Sequence, residues 1–151
     1  PGAGASSPVF FGDKIFITAW TGFAVPGQPG GSDADLRFHL ICLDRKTGKQ
    51  HWDKEFAGKG AVKKPSRGGE GFASSTPMVD ADRVYCFFGT SGLFAFDHSG
   101  KQLWQADVGN RIGDWVSSAS PILHGDLVII NGSIESDSIV AVNKTDGKEK
   151  W

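Results

Sequence analysis

The chain has 151 residues, with 16 Lys and Arg against 17 Asp and Glu, so its formal net charge is −1. This balance argues against non-specific binding of nucleic acid, which usually depends on a strongly basic surface. Apolar residues make up 39% of the chain and charged residues 22%, which fits one globular domain and not a disordered segment, and no apolar run reaches the roughly 20 residues of a membrane-spanning helix.

Glycine, proline and aromatic residues are frequent, with 21 Gly, 7 Pro, 11 Phe and 5 Trp. This combination is typical of short strands joined by tight turns. No segment of about 11 residues or more shows the apolar spacing of an amphipathic helix. We therefore predict an all-β chain with less than about a tenth of its residues in α-helix.

One sequence phrase occurs three times along the chain. Each copy opens with Ser or Thr before Pro, turns into an apolar strand, continues into a strand that ends in Asp or Asn, and closes with a Gly-Lys turn and a Trp. A unit of about 45 residues with four short strands is the size of one propeller blade. The opening prolines are Pro8, Pro77 and Pro121, the turn glycines are Gly48, Gly100 and Gly147, and the closing tryptophans are Trp52, Trp104 and Trp151.

We predict that residues 1–151 form part of a β-propeller, with four-stranded blades at about 5–56, 72–107 and 116–151. Successive side chains of a strand point to opposite faces of its sheet, and in the segment 85–88 all four positions are apolar. Both faces of that sheet should therefore be covered by other parts of the protein. Closed propellers have about four to eight blades, so three blades leave the ring open. The remaining blades would come from a longer chain or from a second copy joined head to tail.

The closing turns point to a family. Residues 43–52 read Leu-Asp-Arg-Lys-Thr-Gly-Lys-Gln-His-Trp, and similar turns end the other two repeats. A tight turn here needs a positive φ, which glycine adopts without steric cost, and the large Trp can cover a seam between blades. The pattern resembles the tryptophan-docking signature of pyrroloquinoline-quinone-like (PQQ-like) propeller repeats. This family includes quinoprotein dehydrogenases, the propeller lipoprotein of the outer-membrane barrel-assembly machinery, and envelope proteins without a cofactor.

Two long insertions, 20–37 and 55–71, fall by blade topology on one face of the disc. Loops carried on a rigid scaffold are where binding residues concentrate, so we predict that this loop face binds a partner or ligand. The alternatives are that Trp20 and Phe23 of the first insertion fold back over the blade edge, and that the cations of the second, Lys59, Lys63, Lys64 and Arg67, form a solvated loop. The candidate binding residues are Trp20, Phe23, Arg67, Glu70, Arg111, Asp114 and Trp115.

The sequence lacks the common catalytic and metal-binding signatures. It has no Gly-Lys-Ser/Thr phosphate loop, no GxSxG and no HExxH, and its 4 histidines show no metal-ligand spacing. We therefore predict no catalytic residue and no metal site. Cys42 and Cys86 stand alone in separate apolar strands, which favours buried thiols over a disulfide.

The resemblance implies two functional readings. Its quinoprotein branch holds the quinone between a Trp and a disulfide of adjacent cysteines, above calcium, whereas Cys42 and Cys86 fall in different repeats. We therefore predict a non-catalytic PQQ-like scaffold without a cofactor, which binds a protein or small ligand in the periplasm or bacterial cell envelope. The alternative is a segment of a PQQ-dependent quinoprotein dehydrogenase, an oxidoreductase that would use PQQ with calcium.

Overall fold

The computed structural model describes residues 2–59, 71–113 and 117–151. In these ranges the regular structure is strands and two short 3-10 turns, with no α-helix, and no helix is long and apolar enough to cross a membrane. The strands are β1 Val9–Phe11, β2 Lys14–Thr21, β3 Arg37–Asp44, β4 Gln50–Ala57, β5 Met78–Val79, β6 Arg83–Phe87, β7 Leu93–Asp97, β8 Gln102–Ala106, β9 Ile122–His124, β10 Leu127–Gly132 and β11 Ser138–Asn143. The 3-10 turns are Asp33–Asp35 and Gly89–Ser91.

The strands form three antiparallel sheets in chain order, β1 to β4, β5 to β8 and β9 to β11. The first two sheets have four strands and the third has three. In the third sheet the place of the fourth strand is taken by the end of the chain. There the Lys150 N–H donates to the Ala141 carbonyl at 2.8 Å, and the Ala141 N–H donates to the Trp151 carbonyl at 2.7 Å. The predicted all-β architecture of three blades is therefore confirmed, and residues 149–151 pair with β11 at the position of the fourth strand of the third blade.

The turn between the third and fourth strands is built in the same way in each sheet. One side-chain oxygen caps the turn by accepting a backbone N–H two or three residues later: Asp44 from Thr47 at 2.7 Å, Asp97 from Ser99 at 2.9 Å, and Asn143 from Thr145 at 2.8 Å. The hydroxyls of Thr47 and Ser99 also donate to these carboxylates and lower the pKa of Asp44 and Asp97. The turn glycines then have positive φ angles, as predicted: Gly48 +70°, Gly100 +83° and Gly147 +73°.

Side chains of the middle sheet pack in two directions. Val84 and Cys86 of β6 point into a core shared with the first sheet, where they meet Phe16 of β2 and other aromatic residues. Tyr85 and Phe87 point the opposite way, into a core shared with the third sheet. Both faces of the middle sheet are therefore covered, which is why this segment carries apolar residues at consecutive positions.

The two cysteines are free thiols in these cores. Cys42 lies in β3 and Cys86 in β6, and both are fully buried. Burial raises the pKa of Cys42 to about 11 and raises the pKa of Cys86 further above its ordinary value. Because the thiolate is the reactive form, both side chains are inert at neutral pH.

Candidate functional site

Two closing tryptophans join each blade to the one that follows. The indole N–H of Trp52 donates to the carbonyl of His98 at 3.2 Å, and that of Trp104 donates to the carbonyl of Lys144 at 3.0 Å. His98 and Lys144 are equivalent residues, because each follows the Asp or Asn that caps its turn. Trp52 and Trp104 therefore dock across the seams in the same way, at 46 and 40 residues from their acceptors.

The turn glycines are required by contact as well as by conformation. A Cβ on Gly100 would lie 3.0 Å from Cδ2 of Trp52, and a Cβ on Gly147 would lie 2.7 Å from Cε3 of Trp104. The indole ring thus rests directly on the backbone of the next blade. Gly48 has the same conformation, but no described atom lies within 4 Å of the position of its Cβ.

A second contact between neighbouring blades involves the residue before each opening proline. The N–H of Ser7 donates to the hydroxyl of Thr76 at 3.0 Å, and the N–H of Thr76 donates to the hydroxyl of Ser120 at 3.0 Å. The opening phrase was interpreted only as a strand start, so this role was missed. The signal available in the sequence was a hydroxyl residue before Pro in all three copies.

The β2–β3 loop is held by a cluster of three aromatic side chains. Trp20 is 2% exposed, and its indole N–H donates to the carbonyl of Phe23 at 3.1 Å. Phe72 meets Trp20 edge to face at 6.1 Å between ring centroids and stacks on half-buried Phe23 at 5.9 Å. The structure therefore supports the packing alternative for Trp20, which offers no exposed surface to a partner.

The other candidate residues are only partly placed by the structure. Arg111 lies on the crossing from β8 to β9, where its N–H donates to the carbonyl of Glu135 at 3.0 Å and its exposed guanidinium is 3.4 Å from the Asp137 carboxylate. This crossing thus contacts the β10–β11 loop, in agreement with a shared loop face. The candidates Arg67, Glu70, Asp114 and Trp115 lie outside the described residues.

Glu135, in the β10–β11 loop, is an acidic residue that the sequence reasoning missed. It is 2% exposed, and its Oε2 has no hydrogen-bond partner among the described residues. Its Oε1 lies 3.2 Å from the position that a Cβ on Gly89 would take. Burial raises the pKa of this carboxyl. A buried carboxyl with a perturbed pKa on a loop face is a candidate binding group.

Replacing Glu135 by glutamine is expected to stabilise the chain at neutral pH, because it removes the negative charge that burial disfavours and keeps the shape of the side chain. The pKa is higher in the folded than in the unfolded chain. The contribution of Glu135 to the wild-type stability should therefore fall as pH rises from about 4.3 through the folded pKa. The Glu135→Gln variant should lack this decline, which urea unfolding at a series of pH values would measure. A stability difference between the variant and the wild type that stays constant with pH would contradict a raised pKa for Glu135.

The described residues do not provide the binding site for PQQ and calcium that the family resemblance implies. Cys42 and Cys86 are separate free thiols in different sheets and cannot form a disulfide of adjacent cysteines. No described group of three or more His, Cys, Asp or Glu side chains is placed to hold a metal ion. For example, both ring nitrogens of His39 already have partners, because Nε2 lies 2.9 Å from the Thr21 hydroxyl and Nδ1 lies 3.0 Å from the Asp53 carboxylate. These contacts join β2, β3 and β4.

Successive antiparallel sheets joined by docked tryptophans are the architecture of a PQQ-like β-propeller. A family model described as outer membrane protein assembly factor BamB matches residues 3–151, so the chain belongs to this family. No curated protein matches the sequence.

Solved structures share the fold at low sequence identity. BamB from Moraxella catarrhalis is 20% identical with a TM-score of 0.58, and the alignment covers 98% of this chain and 35% of that one. A europium-containing methanol dehydrogenase is 14% identical with a TM-score of 0.58, and the alignment covers 99% of this chain and 24% of the dehydrogenase. A quinohemoprotein alcohol dehydrogenase from Pseudomonas putida is 18% identical with a TM-score of 0.52, covering 95% and 25%. The chain thus spans about a third or less of each.

Proposed function

We propose that this chain is part of a non-catalytic propeller scaffold of the bacterial cell envelope, which presents its loop face to a protein partner. Membership of a family described as an outer membrane protein assembly factor supports the location and the class of role. The observation that carries the proposal is the β2–β3 loop. Its residues 26–35 are all exposed, while its base is fixed by the buried ring of Trp20.

The end of the exposed part of this loop is held by its own hydrogen bonds. The backbone N–H and the hydroxyl of Ser32 both donate to the Asp35 carboxylate at 2.9 Å, and this lowers the pKa of Asp35. Arg37 donates to the carbonyl of Ala34 at 2.9 Å, which closes the end of the loop. A loop that is already ordered loses less conformational entropy on binding, which favours a recognition role.

Site-specific photo-crosslinking in a bacterial envelope extract tests the proposal. A crosslinking residue at Gln28, in the exposed loop, should give a discrete adduct with a protein partner. The matched control is Asp82, which is also exposed but lies in the β5–β6 turn at the opposite end of its blade. Equal labelling from both positions, or none from Gln28, would count against a binding role for the loop face.

The second candidate function is a segment of a quinoprotein dehydrogenase. It is favoured by the fold shared with methanol dehydrogenase and quinohemoprotein alcohol dehydrogenase. The test is addition of PQQ and calcium followed by dye-linked oxidation of alcohols or sugars. We expect no turnover from this chain, because its described residues supply neither paired cysteines nor a cluster of acidic ligands. Quinone-dependent turnover would favour the hypothesis that the chain is part of a dehydrogenase.

A further inference from the structure

Glu135 contacts two other segments at the seam between the middle and third blades. Its backbone carbonyl accepts the N–H of Arg111 at 3.0 Å, which joins the β10–β11 loop to the crossing from β8 to β9. Its side chain reaches the middle blade, where Oε1 lies 3.2 Å from the position that a Cβ on Gly89 would take. Ser117 of the same crossing borders this position, with its own Cβ 3.9 Å away. The carboxyl is therefore enclosed between the middle blade and the crossing.

This enclosure suits a neutral carboxyl better than a carboxylate. Glu135 is 2% exposed, and Oε2 has no hydrogen-bond partner among the described residues. Burial raises the pKa of the carboxyl, and the nearby Ser117 hydroxyl, which favours the charged form, offsets only part of this effect. A buried carboxyl with too few hydrogen bonds keeps its proton to a higher pH, because the alternative is an uncompensated charge.

The charged groups of the surrounding segments do not supply a counter-ion to Glu135. On the β8–β9 crossing, the Arg111 guanidinium lies 3.4 Å from the Asp137 carboxylate, and both side chains are exposed. Lys59, whose backbone N–H donates to the β6–β7 loop, lies 3.5 Å from Asp107 at the start of the crossing. The β6–β7 loop itself has no titratable side chain. Each described cation of these segments therefore already has an exposed carboxylate partner.

We infer that ionisation of Glu135 separates the β10–β11 loop from the β8–β9 crossing, so that this part of the loop face is closed in acid and shifts toward an open form as pH rises. The neutral acid stays in the enclosure, and the hydrogen bond from Arg111 to its backbone is made. The carboxylate becomes hydrated only by leaving the enclosure. Because the crossing borders both its side chain and its backbone, leaving breaks the bond to Arg111.

Amide hydrogen exchange resolved by residue, from about pH 4 to about pH 7, tests this inference, with the Arg111 amide as the reporter. Exchange itself depends on pH, so each rate is divided by that of the same amide in Glu135→Gln, which keeps the shape of the side chain without its charge. We expect the ratio for Arg111 to rise by a factor of about five or more over this range. The reference is the Phe88 amide, which donates to the Gly92 carbonyl at 3.0 Å within the β6–β7 loop, and its ratio should rise less. An Arg111 ratio that does not change with pH would overturn the inference, and so would an equal rise at Phe88, which would indicate global unfolding.

Asp137→Asn separates the buried carboxyl from the acidic charge of the loop in general. Asp137 has φ +61°, which asparagine tolerates, and the substitution removes the exposed partner of Arg111 while Glu135 remains. The rise of Arg111 exchange with pH, measured against the Asp137→Asn variant that also carries Glu135→Gln, should persist. Its disappearance would assign the effect to Asp137 and overturn the inference.

Carbon-13 NMR of the wild-type Glu135 carboxyl tests the same inference without a substitution. Its titration midpoint should lie above the ordinary value of about 4.3, and an ordinary midpoint would overturn the inference. Crosslinking from Gln28 reports on the β2–β3 loop of the first blade and does not involve Glu135. The inference can therefore fail without affecting the proposed function.

Discussion

Replacing Trp104 by alanine is expected to destabilise the chain by about 3–5 kcal/mol, the usual cost of deleting a buried large aromatic side chain. Trp104 is 8% exposed, and its ring centroid lies 5.9 Å from that of Tyr85. Its indole N–H also donates to the Lys144 carbonyl at 3.0 Å. The substitution therefore removes an apolar contact and a hydrogen bond from the same seam. Urea unfolding followed by circular dichroism measures the loss.

Two further variants identify the cause of that loss. Leu103→Ala is the matched control, because Leu103 is the neighbouring residue of β8 but is 40% exposed, and its cost should stay below about 1 kcal/mol. Trp104→Phe keeps a ring in the seam and loses the N–H, so its cost should fall between the two. A Trp104→Ala midpoint equal to that of Leu103→Ala would contradict the docking role.

The Trp104 variant should also change the order in which the sheets open. Structural repeats that contact only their neighbours are coupled through each interface, so a weakened interface lets one repeat open without the other. The third sheet should therefore lose protection first. Hydrogen exchange should accelerate more in β10 and β11 than in β6 and β7 when each strand of the variant is compared with the same strand of the wild type, and equal acceleration in both sheets would contradict this prediction.

The repeated architecture could be predicted from the sequence because its determinants are local. A glycine with positive φ follows a capping Asp or Asn within a few residues, and a Trp follows at a nearly constant distance, so each blade carries its own signal. The spacing between Trp104 and Trp151, 47 residues, sets the size of the repeat. Three such signals suffice to fix the class of fold even though no single strand is diagnostic.

The environment of single side chains could not be predicted, because it depends on segments far apart in the chain. Trp20 was a candidate either for binding a partner or for folding back over the blade edge, and it is buried by Phe72 from another part of the sequence. Glu135 belongs to no motif in the sequence, and it is buried against the backbone at Gly89 in the middle blade. In both cases the periodicity identifies the neighbouring strands correctly and contains no information on the distant segment that covers the side chain.

The close approach between Gly71 and Trp20 tests how the chain between β4 and β5 packs on the end of β2. A Cβ on Gly71 would overlap Cη2, Cζ3 and Cζ2 of the Trp20 ring. The ring cannot move aside easily, because its N–H is bonded to the Phe23 carbonyl and its edge is packed on Phe72. Gly71 does not have a positive φ, so the expected cost of Gly71→Ala is purely steric. We expect a loss of about 2–3 kcal/mol, at the upper end of the usual range for overpacking.

Two comparisons show whether the Trp20 ring causes the loss of stability in Gly71→Ala. One is Gly58→Ala, and the other is Gly71→Ala combined with Trp20→Phe. Gly58 also lacks a positive φ, and its Cβ would meet only the side chains of Leu36 at 3.1 Å and Phe38 at 3.4 Å. A methyl group of Leu36 can yield by a few tenths of an ångström, so Gly58→Ala should cost less than about 1 kcal/mol. In a Trp20→Phe background the overlapping part of the ring is absent, and Gly71→Ala should then cost much less than in the wild type. If the two substitutions were additive in urea unfolding, the loop would not be anchored by this contact, because residues that share a steric clash must show a coupling free energy.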